Sequence, residues 1–328
     1  MTEAAFDPSR PSGIPDDGRG AVVTVGTFDG VHRGHRAVLD VMRRRALDTD
    51  RRAILLTFDP HPLRVIRPEA APPLLTAPDE KKEILAEAGL DYAVFLRFTA
   101  ALSRYSPTRF VEEILVGRLG VRELIVGYDH GFGRGRSGDV GTLRELGRSL
   151  GFDVDVVAPV SAGELAISSS QIRKAVSEGD LDAARVGLGR PYSLRGLVGH
   201  GAGRGTELGF PTANLTLGDP DKLVPPAGVY AVRAVLRHGT FDGALHLGPR
   251  PTFPGSESTI EVHLIDFDRD IYSEAVRIDL IRRQRPILAF GSTRELVAQI
   301  ELDVAEARRV LGADAWRRDG VVPVDPTK

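Results

Sequence analysis

The chain has 328 residues, of which 42% are hydrophobic and 27% charged, with a formal net charge of -2 and no cysteine. This length and composition predict a globular protein of about two domains. The balanced charge argues against an overall nucleic-acid-binding surface, and the lack of cysteine excludes disulfides, thiolate metal sites and cysteine nucleophiles. No apolar run reaches the ~18 residues of a transmembrane helix and residues 1–19 lack the apolar centre of a signal peptide, so a cytoplasmic location is expected.

The first half of the chain alternates strand-like and helix-like runs. The predicted strands cover residues 21–26, 53–58, 92–98, 123–129 and 153–160, and the predicted helices cover 35–46, 76–89, 106–120 and 139–151. Thr76 and Asp79 are expected to form a capping box at one helix start. Continuous apolar strands separated by helices predict an α/β fold with a parallel sheet covered on both faces, whose ligands bind beyond the carboxyl ends of the strands.

The pattern changes near residue 190. Short strand-like runs at 192–201, 228–239, 244–248, 258–267 and 275–283 are joined by glycine and proline turns, and a helix is predicted over 293–312. This pattern predicts an antiparallel barrel or sandwich with a terminal helix. The predicted organisation is a flexible N-terminus at 1–19, one domain at 20–188, a second at 189–314 and a flexible tail at 315–328.

The first candidate site is the loop GTFDGVHRGH, where the first strand gives way to a helix. His32 and His35 share a face if the helix has begun, and a helix N-terminus beside glycines suits a phosphate group. Gly26, Thr27 and Phe28 are the candidate binding residues at the start of this loop. The alternatives are that one histidine caps the helix while the other lies on the surface, or a metal site, for which no third ligand is close in sequence.

A second helix start, ISSSQIRKAV, follows the fifth predicted strand. Ser168, Ser169 and Ser170 offer hydroxyl and N-cap groups, and Arg173 follows one turn later, so this segment could also hold a polyphosphate. The alternative is a simple N-cap with a surface arginine. The loop TFDPHP at 57–62 lies at the same predicted sheet edge and is either a further binding loop or only a stiff turn.

Three glycines, Gly133, Gly135 and Gly138, match the spacing of a dinucleotide fingerprint. That fingerprint belongs directly after a strand, whereas here the letters DHGF come between. A flexible glycine-rich loop is therefore favoured over a dinucleotide site.

Four segments of the first half, GTFDGVHRGH, TFDPHP, IVGYDHGFGRGRSGDV and ISSSQIR, together resemble bacterial FMN adenylyltransferase, also called FAD synthetase. The first segment carries the HxGH signature of the nucleotidyltransferase superfamily. The resemblance implies a Rossmann-like domain in which the FMN phosphate attacks the α-phosphorus of ATP in line and pyrophosphate leaves, with no protein nucleophile. It assigns the ATP phosphates and the leaving pyrophosphate to His32, His35, Ser168, Ser169 and Arg173. It also implies that Asp129 helps hold the substrates, although His130 replaces a phenylalanine usual in the family.

The second half contains a glycine-rich loop, HGAGRGTELGFPTANL. Its glycines, including Gly201 and Gly209, allow close approach of a phosphate. Pro211 fixes the chain before Thr212, and Thr212 and Asn214 offer neutral oxygens suited to Mg²⁺ bound beside phosphate. The alternative is a glycine and proline turn without a ligand.

Glu261 is the candidate acid–base group of the second half. It shares one face of a predicted strand with His263 and Ile265, so its carboxylate could point into a cavity. The alternative is a solvated glutamate on a strand.

The segments GFPTANL, PAGVYAV, LGPRPTF and EVHLIDFDRDIY resemble riboflavin kinase, and their order matches the C-terminal half of the bacterial bifunctional flavin-coenzyme enzyme. The resemblance implies a six-stranded antiparallel β-barrel in which the 5′-hydroxyl of riboflavin attacks the γ-phosphate of ATP. It implies that Glu261 is the general base and that Thr212 and Asn214 hold the Mg²⁺. The family pattern is interrupted at Thr206, His246 and Ile287, which replace an arginine, an asparagine and a glutamate.

The favoured function is therefore a bifunctional enzyme that converts riboflavin to FMN and FMN to FAD, with ATP and Mg²⁺. The alternatives are an enzyme with a degraded kinase half, a flavin-sensing or RNA-binding regulator, and a nucleotidyltransferase for another phosphate substrate. The absence of an interleaved basic and aromatic patch argues against RNA. The expected partners are the small molecules ATP, riboflavin and FMN; no nucleic-acid or membrane partner is expected, and the sequence permits a homo-oligomer.

Overall fold

The structure is a computed structural model that describes residues 14–15, 17–128, 139–162, 165–201, 203–249 and 258–313. The chain divides into two compact units, Met1–Ser169 and Ser170–Lys328.

Five parallel strands form the central sheet of the first unit, in the order β3-β2-β1-β4-β5. The strands are β1 (Ala21–Val25), β2 (Arg52–Asp59), β3 (Tyr92–Arg97), β4 (Val121–Gly127) and β5 (Asp153–Val157). The helices are α1 (Arg33–Asp48), α2 (Pro62–Ile66), α3 (Pro78–Ala86), α4 (Pro107–Phe110), which continues into a π turn at Val111–Val116, and α5 (Val140–Leu150). A short ribbon of β6 (Ser161–Ala162) and β7 (Leu165–Ala166) follows.

The apolar run of β1 is buried on both faces of the sheet. Ala21 and Val23 belong to one apolar cluster, whereas Val22 packs in another with Leu39 and Met42 of α1. All five of these residues are at most 2% exposed. A strand with apolar residues at consecutive positions therefore occupies the centre of a doubly covered parallel sheet, as the sequence predicts.

The second unit is built around a closed barrel of antiparallel strands in the order β10-β11-β12-β9-β8-β13. The strands are β8 (Tyr192–Gly199), β9 (Ala213–Leu217), β10 (Gly228–Leu236), β11 (Gly239–Gly248), β12 (Thr259–Leu264) and β13 (Ala275–Arg285). The helices are α6 (Ser169–Glu178), α7 (Leu181–Leu188), α8 (Arg204–Glu207) and α9 (Thr293–Ala313). The strand pattern alone does not distinguish a barrel from a sandwich. In the structure, pairing of β10 with β13 closes a barrel.

The two faces of the barrel strands have different partners. Tyr230 and Val232 of β10 are fully buried, whereas the intervening Ala231 packs with Ala307 and Leu311 of α9. Since the interior of a small barrel has room for side chains only, α9 must cover the outer face. The lumen is therefore filled by the barrel's own side chains.

One local prediction is wrong. The N-cap of α3 is Ala77, and Glu80 rather than Asp79 accepts the N–H of Ala77, at 2.9 Å. Thr76 bonds instead to Asp29, 47 residues away. Ile265 lies one residue beyond β12 and is buried in the cluster beneath α9.

Candidate active sites

The loop between β1 and α1 has an unusual backbone conformation. Phe28 and Val31 have φ angles of 47° and 38°, in the left-handed region that favours glycine. Both side chains are almost fully buried, at 3% and 1% exposure. Strained backbone of this kind persists only where its surroundings hold it, and it is concentrated at functional sites.

The two histidines of this loop form one stacked pair. His32 is the N-cap of α1, and its Nδ1 accepts the backbone N–H of His35 at 3.2 Å. The two rings stack with centroids 3.7 Å apart and planes 15° apart, and Phe28 lies 4.5 Å from His35. A histidine does cap the helix, but it is buried at 6% exposure and fixes the ring of its neighbour. The structure thus brings the two predicted residues together at a helix N-terminus, where the backbone favours anions.

The loop is tied to the segment before α3 by a buried hydrogen-bond network. The Asp29 carboxylate accepts the N–H groups of Leu75 and Thr76, both at 3.0 Å, and the Thr76 hydroxyl at 3.2 Å. The same hydroxyl accepts the N–H of Gly30 at 3.0 Å. The Ser169 hydroxyl donates to the carbonyl of Asp29 at 2.9 Å. The predicted Ser169 therefore lies at the loop, whereas sequence analysis missed Asp29 and Thr76.

The other predicted residues of the first site are distributed differently. Ser168 directly precedes α6. Ser170 and Arg173 lie in the first turns of α6 and belong to the second unit, so the position of these two residues relative to the histidines stays a prediction. Asp129 and the glycine-rich segment to Gly138 lie outside the described residues.

The loop at 57–62 contains a cap of its own. His61 caps α2 by accepting the N–H of Leu63 at 3.3 Å. The segment that the sequence left open between a binding loop and a stiff turn therefore leads into a short helix.

The barrel aligns three polar side chains on one face. Asn214 of β9 lies directly opposite Glu261 of β12, and Glu261 lies directly opposite His246 of β11. Directly opposite residues of antiparallel strands point to the same side of the sheet. All three line a cavity of about 180 Å³, together with Thr212 and Arg285.

The glycine-rich loop packs closely against Thr212 and Asn214. A Cβ at Gly205 would lie 3.0 Å from the Thr212 hydroxyl, so only glycine lets the loop close over it. A Cβ at Gly201 would overlap the amide of Asn214. His263 Nδ1 lies 2.8 Å from the carbonyl oxygen of Pro211, which fixes the loop against β12. Gly201, Pro211 and the tight turn at Gly209, with φ of 85°, thus shape the loop and do not themselves line the cavity.

The cavity lies between the outer face of the barrel and α9, not in the lumen. Its far wall is apolar and consists of Ile287, Leu288, Phe290, Leu296, Ile300 and Val304. The guanidinium of Arg285, at the end of β13, donates two hydrogen bonds of 2.8 and 2.6 Å to the Asp303 carboxylate of α9. This pair ties the wall to the barrel. One end is therefore polar and the other apolar, which suits a ligand that carries phosphate next to a flat aromatic system. Of the family departures, His246 and Ile287 line the cavity.

The chemistry of the polar end fits a magnesium ion held with phosphate. Thr212 and Asn214 supply neutral oxygens beside one carboxylate, and Mg²⁺ is commonly held by few protein ligands plus phosphate oxygens. In the described ranges no group of three or more His, Cys, Asp or Glu side chains is arranged as a metal site. None of the helices in those ranges has the length and apolar character needed to span a bilayer.

A parallel sheet with an HxGH loop, followed by a barrel with its own phosphate-suited cavity, defines a two-domain nucleotide-dependent transferase. Residues 14–171 match the family described as FAD synthetase, and residues 188–311 match riboflavin kinase. The bifunctional riboflavin kinase/FMN adenylyltransferase of Escherichia coli (strain K12) is 37% identical over 294 residues, 89% of this chain and 93% of that protein. The enzyme of the same description from Bacillus subtilis (strain 168) is 34% identical over 301 residues, 90% of this chain and 94% of its own.

Among solved structures, one described as a macrolide-efflux protein from Streptococcus pneumoniae has a TM-score of 0.79 and 29% identity, over 88% of this chain and 94% of that one. The chain belongs to the bifunctional riboflavin kinase/FMN adenylyltransferase family. The predicted family, fold class and enzyme class are thereby confirmed.

Proposed function

We propose that the first unit transfers the adenylyl group of ATP to FMN, and that the barrel transfers the γ-phosphoryl group of ATP to riboflavin. The observation that carries this proposal is that each unit brings together central residues of one predicted site. His32 and His35 stack at the start of α1, and Glu261 stands opposite Asn214 beside Thr212.

In the first unit, catalysis is a matter of position and charge. His32 and His35 donate hydrogen bonds to the phosphates of ATP while the phosphate of FMN attacks in line. The α1 N-terminus adds positive potential for the charge that develops at the α-phosphorus. Ser169, which lies at the loop before α1, is proposed to hold the departing pyrophosphate, and the same role for Arg173 stays a prediction. No covalent intermediate with the protein is formed.

In the barrel, Glu261 accepts the proton of the riboflavin 5′-hydroxyl as that oxygen attacks the γ-phosphorus. Thr212 and Asn214 hold Mg²⁺, which when bound neutralises charge on the phosphates. The apolar wall contributed by α9 excludes water from the flavin end. Glu261 performs this role only when its carboxylate is ionised.

The proposal is tested by incubating the purified protein with riboflavin, ATP and Mg²⁺ and separating the flavins chromatographically. FMN and then FAD are the expected products. His32→Ala is expected to stop the reaction at FMN, and Glu261→Ala to leave FAD formation from added FMN intact. If either substitution removed both activities from a folded chain, the assignment of one site to each unit would be wrong.

Other features of the enzyme stay predictions. They are the identity of the ion as Mg²⁺, the cytoplasmic location, the domain boundary at 188/189 and a homo-oligomeric assembly. Removal of divalent cations with a chelator is expected to stop both reactions, and restoration by Mg²⁺ checks the ion.

A further inference from the structure

A buried lysine lies behind the loop that carries the histidine pair. Lys81, on α3, is only 8% exposed. Its ammonium nitrogen lies 3.2 Å from the carbonyl oxygen of Thr27, 3.4 Å from the hydroxyl of Thr57 and 3.4 Å from the carbonyl oxygen of Phe58. A lysine ammonium has three N–H donors, so these three acceptors match its hydrogen-bonding capacity.

The hydrogen-bond acceptors of the Lys81 ammonium show which segments of the chain it holds together. Among the described residues, the acceptors within hydrogen-bonding distance of Lys81 are all neutral, although Asp29 and Asp59 are close enough to act on its charge. The Asp29 carboxylate is itself engaged by Leu75 and Thr76. Burying a cation is unfavourable unless its donors are satisfied, and here the strand end and the loop satisfy them. Lys81 therefore joins Thr27, near the start of the loop, to the end of β2.

This bond controls the direction of one peptide group. The carbonyl of Thr27 accepts from Lys81 and also from the hydroxyl of Thr57, at 3.0 Å. In a planar trans peptide the C=O of Thr27 and the N–H of Phe28 point in opposite directions. Because the hydrogen bond from Lys81 directs the Thr27 carbonyl towards α3, the Phe28 N–H points away from α3. Phe28 is also the residue with the left-handed φ of 47° and the ring that contacts His35.

We propose that Lys81 is a positioning residue for adenylyl transfer. It sets the orientation of the Thr27–Phe28 peptide, and through Phe28 it sets the placement of the His32–His35 stack at the ATP phosphates. It acts through the loop and does not touch the reacting atoms. This inference rests on the proposed function of the first unit.

The main test compares Lys81→Met with Lys82→Met. Lys82 is the next residue of the same helix, and its ammonium is paired with Asp79 at 3.3 Å. In Lys81→Met, the KM for ATP in FAD formation from FMN is expected to rise about tenfold or more, because a displaced loop no longer fits the phosphates. In Lys82→Met it is expected to stay within about twofold of wild type. The KM for ATP in riboflavin phosphorylation should be unchanged in both variants.

The choice of KM separates positioning from a merely structural role. Partial unfolding reduces the concentration of active enzyme and so lowers the apparent kcat without changing KM. Riboflavin phosphorylation by the same preparation reports the amount of folded second unit. If Lys81→Met does not yield a folded first unit, Thr57→Val decides, since it removes the other donor to the same carbonyl with little change of shape. Its KM for ATP is expected to rise about threefold.

The outcomes are distinct. An unchanged KM for ATP in FAD formation in Lys81→Met, or in Thr57→Val where Lys81→Met does not fold, overturns the inference, whatever happens to kcat. An equal rise of this KM in Lys82→Met also overturns the inference, since the effect would then belong to α3 as a whole. Wild-type protein that forms no FAD from FMN and ATP would instead overturn the proposed function of the first unit.

Discussion

Gly34 lies so close to the ring of His32 that a side chain there would force the ring to shift by a few tenths of an ångström. A Cβ at this position would lie 3.1 Å from both Cε1 and Nδ1 of that ring. Alanine in a helix is otherwise more stable than glycine by about 1 kcal/mol. Gly34→Ala is therefore expected to lower FAD formation about tenfold without loss of stability, because it displaces the ring that we propose contacts the phosphates.

The matched control for this substitution is Gly312→Ala in α9, where a Cβ would meet nothing within 4 Å. Steady-state assays of both reactions and thermal unfolding measure the effects. Gly312→Ala is expected to leave FAD formation unchanged. Full FAD formation by Gly34→Ala would show that the observed placement of His32 is not required.

Lys81 also links stability to pH in the alkaline range. Burial lowers its pKa below the ordinary 10.5, while Asp29 and Asp59 act in the opposite direction. Between the lowered pKa and 10.5 the unfolded chain binds more protons than the folded one, so Lys81 makes the free energy of unfolding rise with pH there. Lys81→Met removes this contribution.

The advantage of wild type over Lys81→Met in unfolding free energy is therefore expected to grow as pH rises through that window. Urea unfolding at a series of pH values measures it, with Lys82→Met as the reference. An advantage that shrinks as pH rises would contradict the lowered pKa.

Sequence analysis identified the candidate site residues that lie within compact motifs, and it missed the residues that support them in the structure. His32 and His35 stand together in one loop, and Glu261 lies on a recognisable strand. Lys81, by contrast, is 54 residues from Thr27, and its own segment looks like an ordinary charged helix start. Only the pairing of β1 with β2 and the packing of α3 bring these residues together, so no local pattern could have revealed them.

At the scale of elements, α9 is held on the barrel by two ion pairs of different burial. Arg285 and Asp303 are 17% and 9% exposed, whereas Arg308 and Asp266 are 51% and 73% exposed. Asp303→Ala leaves a mostly buried guanidinium without its carboxylate, and is expected to lower the free energy of unfolding of the second unit by about 3 kcal/mol. The KM for riboflavin should rise with it, because α9 forms one wall of the cavity.

Arg308→Ala is the control for this prediction, since an exposed pair contributes little to stability. Urea unfolding and riboflavin kinase assays compare the two variants. Equal effects of both substitutions would contradict the importance of the buried pair.

The missed strand β9 shows where element prediction fails. Only five residues long, it follows a proline-containing loop and pairs with β12 at just two positions. Its sequence is therefore interpreted as part of the glycine-rich loop. Only the resemblance to riboflavin kinase implies a sixth strand in the barrel. The longer strands β10 and β13 are recognisable in the sequence because apolar residues recur along their 9 and 11 residues. Short strands with few partners depend on tertiary pairing more than on their own sequence.

At the scale of the whole molecule, the two reactions belong to two compact units of one chain. An equimolar mixture of His32→Ala and Glu261→Ala proteins is therefore expected to convert riboflavin to FAD, with FMN passing through solution from one protein to the other. Each variant alone should fail to do so. Chromatography of the flavins over time measures the transfer, and a mixture that accumulates FMN without FAD would show that FMN must remain with the chain that made it.

The position of the kinase cavity has a consequence for how the enzyme can change. The lumen of the barrel is filled by side chains that hold the strands together, whereas the apolar end of the cavity is lined by α9 and the segment before it. These two sets of residues are therefore largely separate. Substitutions in the wall, at Ile287 for example, are therefore expected to change ligand binding more than the stability of the barrel. Evolution can thus vary ligand preference on the outside of a barrel whose interior stays constant.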